Sequence, residues 1–325
     1  MTVLITGGCG LVGIHSARHF ATQGHEIVCL DQNLPSALHH AILADQAPRV
    51  QFVQGDVCDM NTLFELVKRK EVDGILHSAA LINESYSREY PLETERVNIH
   101  GTATVAEVAR RAGCKRMVFT SSATVYGPRS DATPIMETEA RPAHVYGYSK
   151  YLAEKWLECN SNVYGVPCTV VRLSSVFGPG KLFNLDRYPK QRLCAEAMKG
   201  ATYTLPEGGD YARDFTYVSD VAKGIYLAYT RAQQGAEIFN IASGRLFSLR
   251  EVAEALNHIY PAARLSVASG RFQSNIALAG SSRGPLDISK AKTALGFQPA
   301  FNLVDGLRLY TSFLQEHPFS MQPSR

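Results

Sequence analysis

Residues 3 to 20 read VLITGGCGLVGIHSARHF: a short apolar run, glycines spaced three apart at Gly7, Gly10 and Gly13, then a helical pattern. Few folds place glycine in that way. A strand that turns directly into a helix needs one glycine for the tight turn. It needs a second where the backbone approaches a ligand, and a third where helix and strand pack closely. The helix then presents unpaired N–H groups to the turn, which suits a phosphate. GxxGxxG spacing alone is also compatible with a plain strand-to-helix turn, and the next segment separates the two. The apolar run EIVCL ends at Asp31, where a carboxylate accepts hydrogen bonds from both hydroxyls of an adenosine ribose. Gln32 and Asn33 follow, with no adjacent Arg or Lys to receive a 2′-phosphate. The pattern predicts NAD, held by Gly7, Gly10, Leu11, Val12, Gly13, Asp31 and Gln32. QGDVCD places Asp56 and Val57 after the third apolar run, where an adenine would be met.

Apolar runs at 3–6, 26–30, 50–53, 74–79, 116–121 and 168–173 alternate with helix-like periodicity at 11–23, 60–69 and 102–112. That alternation predicts βαβ units, hence an α/β fold with a Rossmann-like, doubly wound parallel sheet. After Arg172 the rhythm breaks into loop, a helix near 192–199, a strand end running into a helix from 214, and a strand at 237–243. The division expected is a sheet domain over 1–173, with 214–242 returning to it. A smaller C-terminal substrate-binding lobe takes 174–213 and 243–325, with helices at 248–259 and 289–295.

Composition narrows the function classes. At 325 residues and 45% hydrophobic content the chain can fill two cores. A net charge of +3, scattered along the chain, argues against nucleic acid or a membrane surface as partner. Seven cysteines, odd in number and never C-x-x-C, argue against a disulfide framework and a zinc site. His15 with His19, and His39 with His40, lack acidic or cysteine partners at ligand spacing, so no metal is expected. Neither a basic leader nor an apolar run of about 18 residues is present, and a cytoplasmic protein is expected.

The segment HVYGYSKYLAEKW contains two tyrosines four residues ahead of a lysine, Tyr146 with Lys150 and Tyr151 with Lys155. A phenol, with a pKa near 10, acts as acid or base near neutrality only beside a positive charge. At about 100° per residue, Tyr146 and Lys150 share a side with Ala153 and Leu157, flanked by Trp156. The second pair falls beside Glu154 and Glu158, predicting a solvated or subunit-facing side. Upstream, FTSSATVYG supplies Ser121, Ser122 and Thr124 at a strand end, where a hydroxyl holds a substrate oxygen against the phenol. His144, two residues before Tyr146, is a further substrate-side candidate.

TGGCGLVG, Asp31, Asp56-Val57, LHSAA, Asn98 in VNIHGT, SSATVYG, YGYSK, RLSSVFGPG, RDFTYVSDVAKGI and LDISKAKTALGF follow one another along nearly the whole chain. Together they resemble the extended short-chain dehydrogenase/reductase family, in its branch of NAD-dependent epimerases and dehydratases. The resemblance implies Tyr146 as general acid/base, with Lys150 binding the nicotinamide ribose and lowering the tyrosine's pKa. It implies that Ser122 bonds the reacting oxygen, that Thr124 lies in the substrate pocket, and that Ala79 and Ala80 lie along the cofactor. It further implies a homodimer built on the tyrosine helix and its neighbour near 100–112. Where the family's 4,6-dehydratases carry an Asp-Glu pair this chain has Ala123 and Thr124, which disfavours dehydration. Ser175 stands where nucleotide-diphosphate binders usually have Asn. Arg213 matches an arginine that meets the diphosphate, with either Arg271 or Arg283 as its companion. The leading expectation is a nucleotide-sugar epimerase working through a transient ketone. The alternative is a dehydrogenase oxidising a free sugar, a sugar acid or a secondary metabolite, and a third reading is an idle scaffold.

Overall fold

In the computed structural model of this chain, the described residues are 1–321 without 83, 130, 181–183, 186–187, 232–234 and 271–282. Seven strands form one parallel sheet: β1 (Thr2–Thr6), β2 (Glu26–Asp31), β3 (Val50–Gln54), β4 (Val72–His77), β5 (Arg116–Ser122), β6 (Cys168–Leu173) and β11 (Ala236–Ile241). Their order is β11-β6-β5-β4-β1-β2-β3. Reversal of direction between β1 and β4 opens a crevice at the carboxyl ends of those two strands. The short strands β7 (Ser175–Phe177) with β10 (Phe215–Tyr217), β8 (Thr202–Leu205) with β13 (Arg264–Val267), and β9 (Ala212–Arg213) with β12 (Phe247–Ser248) form separate pairs.

The sheet is apolar on both faces because helices cover both. The helices that follow β1 to β4 are α1 (Leu11–Thr22), α2 (Ala37–Leu43), α3 (Met60–Arg69), α4 (Glu84–Glu89), α5 (Pro91–Glu95) and α6 (Gly101–Ala112). Then come α7 (Val145–Tyr164), α8 (Pro189–Met198), α9 (Val218–Thr230), α10 (Leu249–Ile259), α11 (Ser289–Leu295) and α12 (Leu303–Glu316). One face packs Ile14, Ala17 and Phe20 of α1 with Val221, Ile225 and Tyr229 of α9 onto Val3, Ile5 and Phe239. The other packs Leu63 and Leu66 of α3, Val105 and Val108 of α6, and Ala153 and Leu157 of α7 onto Leu4, Ile75 and Phe119. Truncating a fully buried leucine such as Leu157 to alanine costs about 2–5 kcal/mol in cores of this kind.

A separate core joins Leu193 and Ala197 of α8 to Leu249, Val252 and Leu256 of α10, Leu265 of β13, and Leu307, Tyr310 and Leu314 of α12. Helices α3 and α10 begin where side chains satisfy their first N–H groups. Asp59 accepts from the Thr62 N–H at 3.1 Å, and Ser248 accepts from the Glu251 N–H at 3.1 Å. The sequence pattern placed 286–297 in the smaller lobe, yet Ala291 and Phe297 pack into the core under the sheet. Helix α12 carries no Ser/Thr capping box, and Gly306 interrupts its pattern, so it escaped the periodicity reading. Asn302 caps it through the Asp305 N–H at 2.9 Å. Among the described residues no helix is long and apolar enough to cross a membrane.

Candidate active site

The glycine loop lies at the crevice. The Gly7 N–H donates to the Leu30 carbonyl at 2.8 Å, with φ at +69°, and a Cβ there would stand 2.7 Å from the Ala79 nitrogen. A Cβ on Gly13 would come within 2.0 Å of the Gly7 carbonyl oxygen. Only hydrogen fits at either position. Helix α1 starts at Gly10 with no side-chain cap, leaving its first-turn N–H groups for a ligand. Leu11 and Val12, half-buried, form that first turn. Asp31, at the end of β2, accepts from the Cys9 N–H at 3.0 Å and the Asn33 N–H at 2.9 Å. Those two bonds fix the carboxylate and leave lone pairs for two ribose hydroxyls, with exposed Gln32 beside it.

Val57 is buried against Gly101 and contributes to the core. Burial works to raise the Asp56 pKa, but the Cys58 N–H and the Arg96 guanidinium, 3.0 Å away, outweigh it and hold the carboxyl low. Ala79 and Ala80 follow β4, and the Ala79 N–H donates to the Thr6 hydroxyl at 3.3 Å. The next residue is pinned by Asn98, which accepts from the Leu81 N–H at 2.8 Å and donates to the Leu81 carbonyl and the Ser149 hydroxyl, each at 3.0 Å. Asn98 sits on a π-helical turn over Arg96–His100, a local widening that turns its amide inward.

Ser122, Tyr146 and Lys150 come together. Ser122 ends β5, accepts from the Thr124 N–H at 3.2 Å, and is hydrogen-bonded to the Tyr146 hydroxyl. Gly147 makes this approach possible, since a Cβ there would lie 2.7 Å from the Thr124 carbonyl oxygen. Burial pushes the Tyr146 phenol up to about 12 against the opposing Ser122 bond. Lys150 lies one turn further along α7. Burial pushes Lys150 itself down to about 7, against the charge of Glu154. Its ammonium lies 4.5 Å from the centroid of the Phe119 ring.

The helical wheel erred on the rest of α7. Glu154, expected among solvated charges, is buried. Tyr151 is half-buried and packs beside Val125 and Tyr126, while Lys155 pairs with Glu158 at 2.7 Å in solvent. Trp156, expected to flank the inward side, is 51% exposed. Val145, Tyr148 and Leu152 are exposed with it, along one side of the helix.

Arg213 is buried on β9, its guanidinium 4.3 Å from the Tyr211 ring centroid. Asp214, next to it, accepts from the N–H groups of Ser243 at 3.0 Å, Gly244 at 3.2 Å and Leu286 at 3.1 Å. This clamp draws the segment at 283–286 in, and burial with the Arg213 charge pushes the Arg283 guanidinium down to about 10. Among the described residues the Arg283 Nε, shut off from solvent, has no acceptor. Arg283 thus lies within reach of the Arg213 charge, and Arg271 lies outside the described residues. The Ser175 N–H donates to the Asp214 carbonyl at 3.0 Å, which sets Ser175 on the strand beside this arginine. His144 precedes α7 and lies 3.4 Å from the Glu84 carboxylate, whose charge also acts on Arg283. Sequence reasoning missed Asp214, Glu84 and Gly147 because nothing local marks them; their partners are distant in the chain.

The histidine pairs serve the fold. His15 bonds the Pro179 carbonyl at 2.8 Å, His19 packs on Tyr226, and His39 bonds the Cys9 carbonyl at 2.8 Å.

The family model described as "NAD dependent epimerase/dehydratase family" matches residues 3–242. The chain belongs to that family. It is an NAD-dependent enzyme of the short-chain dehydrogenase/reductase type, and the glycine cradle with Asp31 fits the cofactor. A putative UDP-glucose 4-epimerase of Methanocaldococcus jannaschii is 27% identical over 97% of this chain and 99% of its own length. The UDP-glucose 4-epimerase of Neisseria gonorrhoeae is 33% identical over 78% of this chain and 81% of its own. The crystal structure of UDP-glucose 4-epimerase from Stenotrophomonas maltophila, with bound NAD and formylated UDP-arabinopyranose, superposes with a TM-score of 0.85. It is 27% identical, and the match covers 98% of this chain and 99% of that one.

Proposed function

We propose that this enzyme is a nucleotide-sugar epimerase that inverts a secondary alcohol of the sugar through a transient ketone. The observation that carries the reading is the pair of guanidiniums at Arg213 and Arg283. Two neighbouring cations, Arg213 buried and Arg283 half-buried with a shielded, unused Nε donor, suit a diphosphate. The curated and solved relatives named UDP-glucose 4-epimerase support it.

Bound NAD supplies the two-electron redox partner for the alcohol carbon. Tyr146 Oη takes the proton of the alcohol and later returns it. Ser122 holds the reacting oxygen against that phenol, and Thr124 lines the pocket beside it. The Lys150 ammonium would bind the cofactor's nicotinamide ribose and favour the phenolate. Gly7, Gly10, Leu11, Val12 and Gly13 receive the pyrophosphate, Asp31 and Gln32 the adenosine ribose, Asp56 and Val57 the adenine side, and Ala79 and Ala80 the length of the dinucleotide. Arg213, Arg283 and Ser175 hold the substrate's diphosphate. The sheet with its helices forms the cofactor domain, and α8, α10 and α12 form the lobe that closes on the nucleotide.

A second copy of the chain covers the exposed stripe Val145, Tyr148, Leu152 and Trp156. These residues fall within about 80° of helix surface and continue the groove lined by Pro91 and Ile99. The dimer face is thus this stripe and not Tyr151 with Lys155. Seven free thiols suit a reducing cytoplasm.

Incubation of the purified enzyme with UDP-sugars should yield the epimer with no net NADH, and calorimetry should detect UDP. Stoichiometric NADH with a sugar lacking a nucleotide, together with no UDP binding, would replace this reading by a dehydrogenase.

A further inference from the structure

Lys150 has little support for its charge. Its side chain is 2% exposed, and its ammonium donates no hydrogen bond to a described residue. The groups that face it are few. Tyr146 lies one turn back on α7, and Phe119 covers it from β5. His77 on β4, bonded by Thr6 and Thr102 at 2.7 and 3.0 Å, is pushed down to about 3 by burial and by Lys150, so it stays neutral. Glu154 lies one turn on, with Arg172 of β6 behind it.

The Glu154 carboxylate accepts from Arg172 Nε at 3.0 Å and Nη2 at 2.6 Å, and from the Ser121 hydroxyl. Their side chains are 1% and 2% exposed. Arg172 Nη1 also donates to the Tyr126 hydroxyl at 3.1 Å and the Glu137 carbonyl at 2.6 Å, and Tyr126 donates to Asn240 at 2.5 Å. Ser121 adjoins Ser122, and Tyr126 ends the turn that carries Thr124. One network therefore touches every element of the acid/base site. A buried ion pair generally stabilises a fold no better than apolar side chains of equal volume. Its place one helical turn from Lys150 suggests what else it does.

We propose that Glu154, clamped by Arg172 and Ser121, is a positioning residue that supplies the counter-charge of the Lys150 ammonium and fixes α7 against the ends of β5 and β6. This rests on reading Tyr146 and Lys150 as the proton-transfer pair. Glu154 follows Lys150 at the i, i+4 spacing of α7, and its charge acts on the ammonium. For unit charges about 6 Å apart, the order of the i, i+4 spacing, and an effective dielectric near 20, a carboxylate favours an ammonium by roughly two pH units. The opposing Arg172 charge reduces this to about one.

The test is the pH dependence of kcat in NAD-loaded enzyme as purified, for Glu154→Gln and for the doubly neutral Glu154→Gln/Arg172→Met. Turnover should fall on the alkaline side as Lys150 loses its proton. That limb should move to lower pH by about one unit in the double variant, and further in the single one, where Arg172 is left unopposed. Parent-like limbs in both variants, with NAD retained, overturn the proposal. So does failure of both variants to fold, because the pair would then be a requirement of the fold alone. Tyr146→Phe separates the two ideas. If it keeps full turnover, the acid/base reading has failed; if it is inactive while the limbs stay put, only the role of Glu154 has.

Discussion

Replacing Arg283 by methionine should stabilise the ligand-free enzyme and weaken its grip on a nucleotide diphosphate, two effects of opposite sign from one side chain. Burial, then the charge of Arg213, lowers the Arg283 guanidinium from its usual 12.5 to about 10. At about 1.4 kcal/mol per pH unit, holding that charge in the empty fold costs about 3 kcal/mol. Arg283 is only half-buried, so solvent screening reduces the figure to about 1–2 kcal/mol. Because the folded-state pKa of a base is depressed, the penalty is present in full below about 10 and is relieved only as pH rises beyond it. Between pH 6 and 9 the gain should therefore be independent of pH. For a chain of this length it corresponds to a rise in Tm of about 2–3 °C. A lost charge-assisted hydrogen bond of about 1.5–3 kcal/mol should weaken UDP by about 10- to 100-fold. Thermal melts and titration calorimetry on the NAD-loaded enzyme check both. A variant that melts no higher and binds UDP as tightly as the parent would refute the reasoning.

Gly13→Ala places a methyl group 2.0 Å from the Gly7 carbonyl, which must displace α1 from the loop, so the protein should purify with little or no NAD when extracted cofactor is quantified. His77 and His15 are pushed down by burial to about 3 and about 4, so the unfolded chain binds more protons than the folded one below about 6.5. Stability should be full above that pH and fall by about 2–3 kcal/mol per pH unit between 6 and 5 on account of these two groups. Urea denaturation of the parent against His77→Gln isolates half of that slope, since Asp214 and Asp220, raised by burial, are common to both. Leu152→Glu with Trp156→Glu should convert a dimer to a monomer in sedimentation with cofactor content unchanged; an unaltered sedimentation coefficient removes the stripe as the interface.

What could be read from the chain was what obeys a local period. Helices α3 and α11 were predicted at Met60–Arg69 and Ser289–Leu295, their observed limits, and α3 is marked by an apolar face of regular spacing and a capped first turn. The strands of the sheet were visible as apolar runs for the same reason. Alpha-helical phase failed on Glu154, since a wheel assigns a carboxylate to solvent unless its partner is known, and Arg172 is 18 residues away on another strand. The place of Arg283 beside Arg213 could not be read from the chain, because Asp214, which draws 283–286 in, lies 72 residues before Leu286. Recognition of one side chain by another across such distances leaves no periodic trace. Tyr146 and Lys150 were accessible because both lie on one helix.

The charged groups of the site share one condition. Burial displaces Tyr146 up to about 12, Lys150 down to about 7 and Arg283 down to about 10, each toward its neutral form. A fold selected only for stability would place such groups in water or pair each with a counter-charge. Here one pairing is internal, Glu154 near Lys150, while the Arg283 Nε has no acceptor among the described residues and suits a ligand that brings negative charge. A nucleotide diphosphate brings that charge and carries a sugar toward Tyr146 at the same time. A free sugar brings neither benefit to the arginines. The electrostatics of the site thus favour a substrate with a diphosphate handle over a neutral alcohol, and they do so independently of which sugar is attached.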